Sequence, residues 1–243
     1  MIRPMPLLST AWVGKVDRAL RQALPGRCHF CLAPSLPEAP WCEACLVTLP
    51  WNLPACPRCA EPLPPLTPAG LACGACLSQP PSFVRARVAL RYADEVALLI
   101  QGFKFSASPR AGAVLLALLE HQLRGVEQLP EALVAVPLHP RRARERGFDQ
   151  VAWLAERLAR RLGVPLIEAR RLRHTPSQVG LSRKARRHNL KKAFSVERAL
   201  PAHVAILDDI VTTGATCEAL AQACQARGAT LVEVWAVART PRQ

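Results

Sequence analysis

Asp208 and Asp209 stand side by side in the run Val-Ala-Ile-Leu-Asp-Asp-Ile-Val-Thr-Thr-Gly-Ala-Thr, which spans Val204 to Thr216. Carboxylates are poor phosphate ligands, but they accept hydrogen bonds from sugar hydroxyls and bind Mg²⁺. The four apolar residues ahead of them predict a buried strand with the two acids at its C-terminal end. A small polar turn of Thr212, Thr213, Gly214, Ala215 and Thr216 follows, then a helix from about Cys217. In parallel α/β sheets ligands bind just beyond the carboxyl ends of the strands. A loop of small residues ahead of a helix points backbone N–H groups at an anion, and the helix dipole adds to the attraction. Gly214 and Ala215 leave room for that approach. A phosphate cradle beside two diol-binding carboxylates suits a ribose 5-phosphate. A solvated Asp-Asp turn would account for the acids, but not for the Thr-Thr-Gly-x-Thr that follows them. The Gly-x-x-x-x-Gly-Lys of a Walker loop is absent.

A second chemistry lies near the N-terminus. Eight of the ten cysteines form four Cys-x-x-Cys pairs: Cys28/Cys31, Cys42/Cys45, Cys56/Cys59 and Cys73/Cys76. Two thiolates on one tight knuckle suit tetrahedral Zn²⁺. Ten residues separate the first two pairs and thirteen the last two, which predicts two successive Cys₄ zinc ribbons. A crossed pairing is the alternative. A disulfide framework is the weaker reading for a chain with no signal peptide, and four copies of the spacing favour metal over a redox role. Cys217 and Cys224 fall on the helix after the phosphate loop, where small buried thiols are the default.

Two further segments are basic. Val136-Pro137-Leu138-His139-Pro140 leads into a run of arginines ending at Arg146-Gly147-Phe148-Asp149-Gln150. Arginines behind a strand-end turn suit a pyrophosphate, because the guanidinium offers bidentate hydrogen bonds. A solvated basic helix start competes with this reading, more for Arg141 and Arg142 than for Arg146. The third segment runs from Arg173 through Gln178 to Arg183 and Arg187, and six Lys and Arg residues lie between Arg183 and Lys192. Within 141–198 there are 17 basic and 5 acidic side chains, so this window holds nearly all of the formal +14. Two zinc-thiolate sites would bring that formal charge to about +10. A polyanion is the natural partner for such a surface. Arg173, Gln178, Arg183 and Arg187 are the better candidates for ligand contact, while for Lys191 and Lys192 a purely solvated face competes with that reading.

The Val204–Thr216 run resembles the signature of type I phosphoribosyltransferases, which bind 5-phosphoribosyl-1-pyrophosphate (PRPP). Together the segments resemble the ComF (ComFC) family, phosphoribosyltransferase-like proteins linked to natural transformation. The shared marks are the cysteine pairs, Pro-Leu-His-x-x-Arg-x-x-x-Arg-Gly-Phe, an Arg…Thr-x-x-Gln-x-x-Leu run followed by Arg-x-x-Asn, and the PRPP loop. The third begins here Arg173-His174-Thr175, one residue tighter than the family form unless Arg171 is the matching arginine. Where the family commonly has Asn before the Gln of the second motif, this chain has Asp149, a carboxylate that would oppose a polyanion unless it faced an arginine. The resemblance implies that Thr212 to Thr216 hold the 5-phosphate of Mg²⁺·PRPP, with Asp208 and Asp209 on the ribose hydroxyls. Lys104, Pro137, Leu138, His139 and Arg146 would meet the pyrophosphate. Asp208, Asp209 and Arg146 would be the catalytic set of a phosphoribosyltransferase whose acceptor the sequence does not identify. The zinc ribbons take the sequence position of the hood that selects the acceptor in type I enzymes. Single-stranded or branched DNA and a DNA-uptake helicase or other transformation protein are the implied partners. The competing reading is a non-catalytic DNA-binding or adaptor protein using the basic face and the ribbons, although aromatic residues are only 5% of the chain, too few for a long stacking platform. Trp41 and Trp51 flank the ribbons and read as their small core, with base stacking as the alternative.

The elements that must position these residues follow from periodicity. Residues 1–27 read as an N-terminal helical segment, 28–80 as the double zinc ribbon and 81–243 as the phosphoribosyltransferase-like domain. Strands are expected at Phe83–Tyr92, Leu133–Pro137, Val164–Ile167, Phe194–Val196, Val204–Leu207 and Thr230–Val237. Helices are expected at Glu95–Ile100, Ala111–Leu123, Gly147–Leu162, Ser182–Lys191 and Cys217–Arg227, with a turn at Gly102–Phe105 and helix ends at Gly163 and Gly228. The alternation predicts a mostly parallel sheet. With the resemblance, the expected fold is an α/β, type I phosphoribosyltransferase-like parallel sheet with helices on both faces, plus a small N-terminal zinc-ribbon domain. No apolar run reaches the ~18 residues of a membrane span, so a cytoplasmic protein without membrane insertion is expected.

Overall fold

The computed structural model describes residues 26–37, 39–138, 147–172 and 193–241. The chain divides into two compact units, Met1–Leu49 and Pro50–Gln243. The division falls inside the cysteine-rich segment rather than after it, so each unit holds one ribbon. Residues 1–25 of the expected N-terminal helical segment and the expected helix at 182–191 lie outside the described residues.

In the first unit, helix α1 (Glu43–Thr48) starts directly after Cys42. In the second, α2 (Gly74–Ser78) starts directly after Cys73. The two knuckles repeat each other. Cys28 N–H donates to Ala33 O and Leu32 N–H to Cys28 O, just as Cys56 N–H donates to Glu61 O and Ala60 N–H to Cys56 O. Leu32 and Ala60 both adopt positive φ, and the bridges Arg27–Pro34 and Ala55–Pro62 flank the two turns.

The rest of the second unit is a five-stranded parallel sheet, ordered β1-β7-β6-β2-β3. Its strands are β1 (Arg85–Arg91), β2 (Ala132–Ala135), β3 (Leu166–Ile167), β6 (His203–Val211) and β7 (Leu231–Arg239). A separate antiparallel pair joins β4 (Ala169–Arg171) to β5 (Phe194–Val196). The helices are α3 (Asp94–Ser106), α4 (Pro109–Leu123), α5 (Gln150–Leu162) and α6 (Ala215–Gln225). β6 and β7 are almost wholly buried, which is why they read as continuous apolar runs rather than alternating ones. Helix α6 packs on one face, against β6 and β7, where Leu220, Ala221 and Cys224 meet Ile206, Val232 and Val234. Helices α4 and α5 pack together on the other face, against β1, β2, β6 and β7. No helix among the described residues is long and apolar enough to cross a membrane.

Several boundaries differ from the expected ones for identifiable reasons. Gly102 to Phe105 is not a turn but the last part of α3, whose apolar face (Val96, Leu99, Ile100, Phe103) continues through it. Helix α5 begins at Gln150 rather than Gly147, because Asp149 caps it. β6 does not stop before the acids; it carries both of them and ends at Val211. Helix α6 therefore starts at Ala215 instead of Cys217, and its C-cap is Ala226, with Gly228 beyond it at φ 104°. Trp41 is buried, but Trp51 belongs to the sheet unit: it bridges to Leu90 and lies 5.6 Å from the His121 ring of α4.

Candidate ligand-binding site and metal centres

Successive residues of a strand face opposite sides of the sheet. Because β6 runs through both acids, Asp208 and Asp209 diverge. Asp208 faces α6, with its Oδ2 3.9 Å from Cys217 Sγ, and its Oδ1 accepts from Asp209 N–H at 2.8 Å. Asp209 faces α3 and α5. Its Oδ2 pairs with Lys104 Nζ at 2.9 Å and accepts from Gln150 Nε2 at 3.1 Å. Both residues are buried. Burial first, and then the Asp209 charge, push the Asp208 carboxyl up to about 8. Burial likewise pushes the Cys217 thiol well up.

The turn between β6 and α6 is tight. Gly214 is the N-cap of α6 and adopts φ 78°, a conformation side chains resist. Ala215 N–H donates to Thr213 Oγ1 at 3.4 Å. Ala215 and Thr216 form the first turn of an eleven-residue helix, whose leading N–H groups have no intrahelical acceptor. A second loop leaves β2 beside β6, just ahead of the two acids: Val136 N–H donates to Leu207 O at 2.9 Å. Pro137 and Leu138 continue it.

Asp149 has a structural task. Its Oδ1 accepts from Val151 N–H and Ala152 N–H, both at 2.9 Å, and its Oδ2 accepts from Leu138 N–H at 3.3 Å. One carboxylate thus caps α5 and ties the loop after β2 to that helix; no arginine is needed to neutralise it. Phe148 is held beside it by Phe103, with ring centroids 5.3 Å apart, and Phe103 also meets Trp153 edge-on at 5.3 Å. Gly112 makes this cluster fit, since a Cβ there would come within 2.6 Å of Phe103.

The structure therefore brings together Lys104, Asp208, Asp209 and Thr212 to Thr216, with Pro137 and Leu138 on the neighbouring strand end. His139, Arg146, Arg173, Gln178, Arg183 and Arg187 lie outside the described residues. Sequence reasoning did not single out Gln150, Glu61 or Arg239 for this region. Gln150 ends the Gly-Phe-Asp-Gln run, so its signal was adjacency to a motif. It is buried, and its Oε1 has no hydrogen-bond partner among the described residues. Arg239 is wholly buried at the end of β7; its only signal was a lone cation closing an apolar strand.

The cysteines gather as two separate clusters, Cys28/Cys31/Cys42/Cys45 and Cys56/Cys59/Cys73/Cys76, which settles the pairing as sequential rather than crossed. Within each, all sulfurs lie within 4.8 Å of one another. The Cys31–Cys42 and Cys59–Cys73 separations are both 3.6 Å. A ZnS₄ tetrahedron with Zn–S of about 2.3 Å has edges of about 3.8 Å, so the donor sets fit zinc. Burial acts to raise the Cys56 thiol, but N–H donors from Cys73, Cys59 and Arg58 outweigh it and bring it down to about 7. Cys73 N–H reaches Cys56 Sγ at 3.3 Å. Cys217 and Cys224 are buried helix residues, apart from both clusters.

Residues 19–77 match the double zinc ribbon domain family. The chain is 37% identical over 227 residues to DNA utilization protein YhgH of Escherichia coli O157:H7, covering 89% of this chain and 98% of that one. It is also 37% identical over 178 residues to competence protein F of Haemophilus influenzae, covering 69% of this chain and 78% of the relative. Among solved structures, adenine phosphoribosyltransferase from Saccharomyces cerevisiae is similar at TM-score 0.38 and 21% identity, over 56% of this chain and 72% of that one. The Leishmania donovani adenine phosphoribosyltransferase is similar at TM-score 0.41 and 12% identity, over 62% and 70%.

Proposed function

The chain belongs to the ComF family, with DNA utilization protein YhgH and competence protein F among its relatives, and from that premise we propose that it binds Mg²⁺·PRPP at the C-terminal ends of β6 and β2 and serves DNA uptake in the cytoplasm. The observation that carries the reading is the convergence of Lys104 and Gln150 on Asp209, one short turn ahead of the glycine-capped start of α6. That arrangement supports the reading, because the leading N–H groups of a helix lie one turn beyond buried carboxylates at a strand end.

In this reading the N–H groups of Thr212 to Thr216 take the 5-phosphate. Asp208 and Asp209 take the ribose hydroxyls. The two acids diverge, so each approaches the sugar from its own side of the sheet. Pro137, Leu138, His139, Arg146 and Lys104 meet the pyrophosphate, while Arg173, Gln178, Arg183 and Arg187 contact ligand from the basic segment. The carboxylates are hard oxygen donors suited to Mg²⁺, which when bound supplies positive charge to the pyrophosphate. Departure of pyrophosphate leaves positive charge on the ribose ring, and Lys104 and Arg146 stabilise the leaving group. The chain's contribution to phosphoribosyl transfer is then positioning and charge stabilisation.

A second reading, DNA binding without transfer, is favoured by the excess of basic residues in 141–198. Its partners would be single-stranded or branched DNA and a DNA-uptake helicase or other transformation protein, and affinity would fall with salt. Titrating the zinc-loaded protein with Mg²⁺·PRPP by calorimetry, beside Asp208→Ala/Asp209→Ala, separates the two. Saturable binding lost in the double variant supports the PRPP site. A folded wild type that takes up no PRPP but binds DNA in a salt-sensitive way overturns it.

A further inference from the structure

The second ribbon differs from the first at one position that its own fold does not require. The knuckle repeats align Cys28 with Cys56 and Ala33 with Glu61, and in both the first cysteine's N–H donates to the backbone oxygen of that residue. An alanine completes the first knuckle, so the carboxylate of Glu61 is there for something else. It is 9% exposed and pairs with Arg239, which is 0% exposed. The other arm of the guanidinium, Nη1, donates to Val211 O at 2.9 Å and also to Thr212 O. Those carbonyls belong to the end of β6 and the first residue of the phosphate turn. A small cavity beside this pair is lined by Cys59, Cys76, Thr213 and Gly214, so the second cysteine cluster and the turn are direct neighbours. Ser82, just beyond the ribbon, adds a second tie: its N–H and Oγ donate to the Glu218 carboxylate of α6 at 2.8 and 2.7 Å.

We infer that Glu61 and Arg239 are positioning residues through which the second zinc ribbon sets the conformation of the phosphate turn. In a trans peptide the C=O and the following N–H point in opposite directions. Arg239 draws the Val211 and Thr212 carbonyls inward, and thereby turns the Thr212 and Thr213 N–H groups away from itself. It also keeps two carbonyl dipoles from facing an incoming anion. A buried, charge-assisted fork is costly to desolvate but specifies geometry closely, which suits positioning better than stability. The inference rests on the phosphate-binding reading above for its purpose, but not for its test.

The test is the double variant Glu61→Leu/Arg239→Met, which replaces the buried pair by apolar side chains and so leaves no unpaired charge. Amide hydrogen exchange at Glu218 and Thr240, whose N–H groups donate to Gly214 O and Val211 O at the two ends of the turn, is compared with wild type, together with zinc content and calorimetric binding of Mg²⁺·PRPP. The variant is expected to keep both zinc ions, to exchange those amides about tenfold faster or more, and to bind PRPP about tenfold more weakly or worse. A variant that keeps both zinc ions yet shows unchanged exchange overturns the inference. Arg239→Lys is the second variant: it retains the cation beside Glu61 but lacks the fork, so exchange at Glu218 and Thr240 must again rise if the inference holds, and unchanged exchange there overturns it even if the double variant does not fold. A wild type that fails to bind PRPP refutes the proposed ligand, while the exchange comparison still decides the role of the pair.

Discussion

Replacing Asp149 by alanine removes three hydrogen bonds from one carboxylate: two to the leading N–H groups of α5 and one to Leu138 N–H. Loss of an N-cap costs about 1 kcal/mol. The Leu138 bond contributes roughly another 1 kcal/mol. Together they make about 2 kcal/mol, which at roughly 2–4 °C per kcal/mol for a domain of this size lowers the melting temperature by about 4–8 °C. Asp149→Asn is the control. Asparagine keeps the cap through its one oxygen, but its amide nitrogen cannot accept from Leu138 N–H, so mainly that bond of roughly 1 kcal/mol is lost and the variant melts between alanine and wild type. The same substitution removes an anion from beside the loop assigned to pyrophosphate, so Mg²⁺·PRPP affinity is expected to hold or rise. Thermal unfolding by circular dichroism and calorimetric titration measure both. If the alanine and asparagine variants melt together, Asp149 is not acting as a cap. If asparagine melts like wild type but loses PRPP, the carboxylate contacts ligand and the structural assignment is wrong.

Two further outcomes follow from the site. Asp208 is raised from 3.8 to about 8 in the folded protein, so between those values the folded state holds a proton that the unfolded state has released. Stability should therefore decline as pH rises from about 4 to about 8, and Asp208→Asn should flatten that slope in denaturant titrations at pH 5 and pH 8; an unchanged slope would mean that Asp208 is ionised when folded. Serine replacement of Cys31 and Cys45 should leave one zinc per chain and spare the melting of the sheet unit, whereas replacing Cys59 and Cys73 should lower it, because the second cluster alone belongs to that unit. Equal melting losses in the two variants would contradict the division at Leu49.

The central strands β6 and β7 were legible because they are buried on both sides. Val204 to Leu207 and Thr230 to Val237 have no alternation to misread, and the cysteine spacing fixed the metal chemistry before any geometry was known. The end of β6 was less legible. Two acids look like a strand terminus, yet the ladder continues, with Asp208 opposite Ala236 and Ile210 opposite Ala238, because Lys104, Gln150 and Cys217 supply partners for the buried carboxylates. Gly102 misled for a similar reason. A glycine near aromatics suggests a turn, but Phe103 is buried beneath Trp153 and Phe148, and that packing holds the helix through it. The link between Glu61 and Arg239 spans 178 residues and carries no periodic or motif signal; only the fold brings the two together.

The placement of the unit boundary bears on how this architecture can be cut and recombined. A recombination point at Leu49/Pro50 would trade away one whole metal knuckle and leave the sheet's edge dressed as it is now. A point after the last cysteine pair, near residue 80, would instead strip β1 of a neighbour: Arg91 N–H donates to Pro50 O, and Asn52 N–H to Ala89 O. It would also leave Arg239 as a solitary cation in the interior. The two ribbons look like copies in sequence, but the second is built into the α/β unit, and a chimera that swaps the cysteine-rich region as one cassette would have to bring a matching final strand with it.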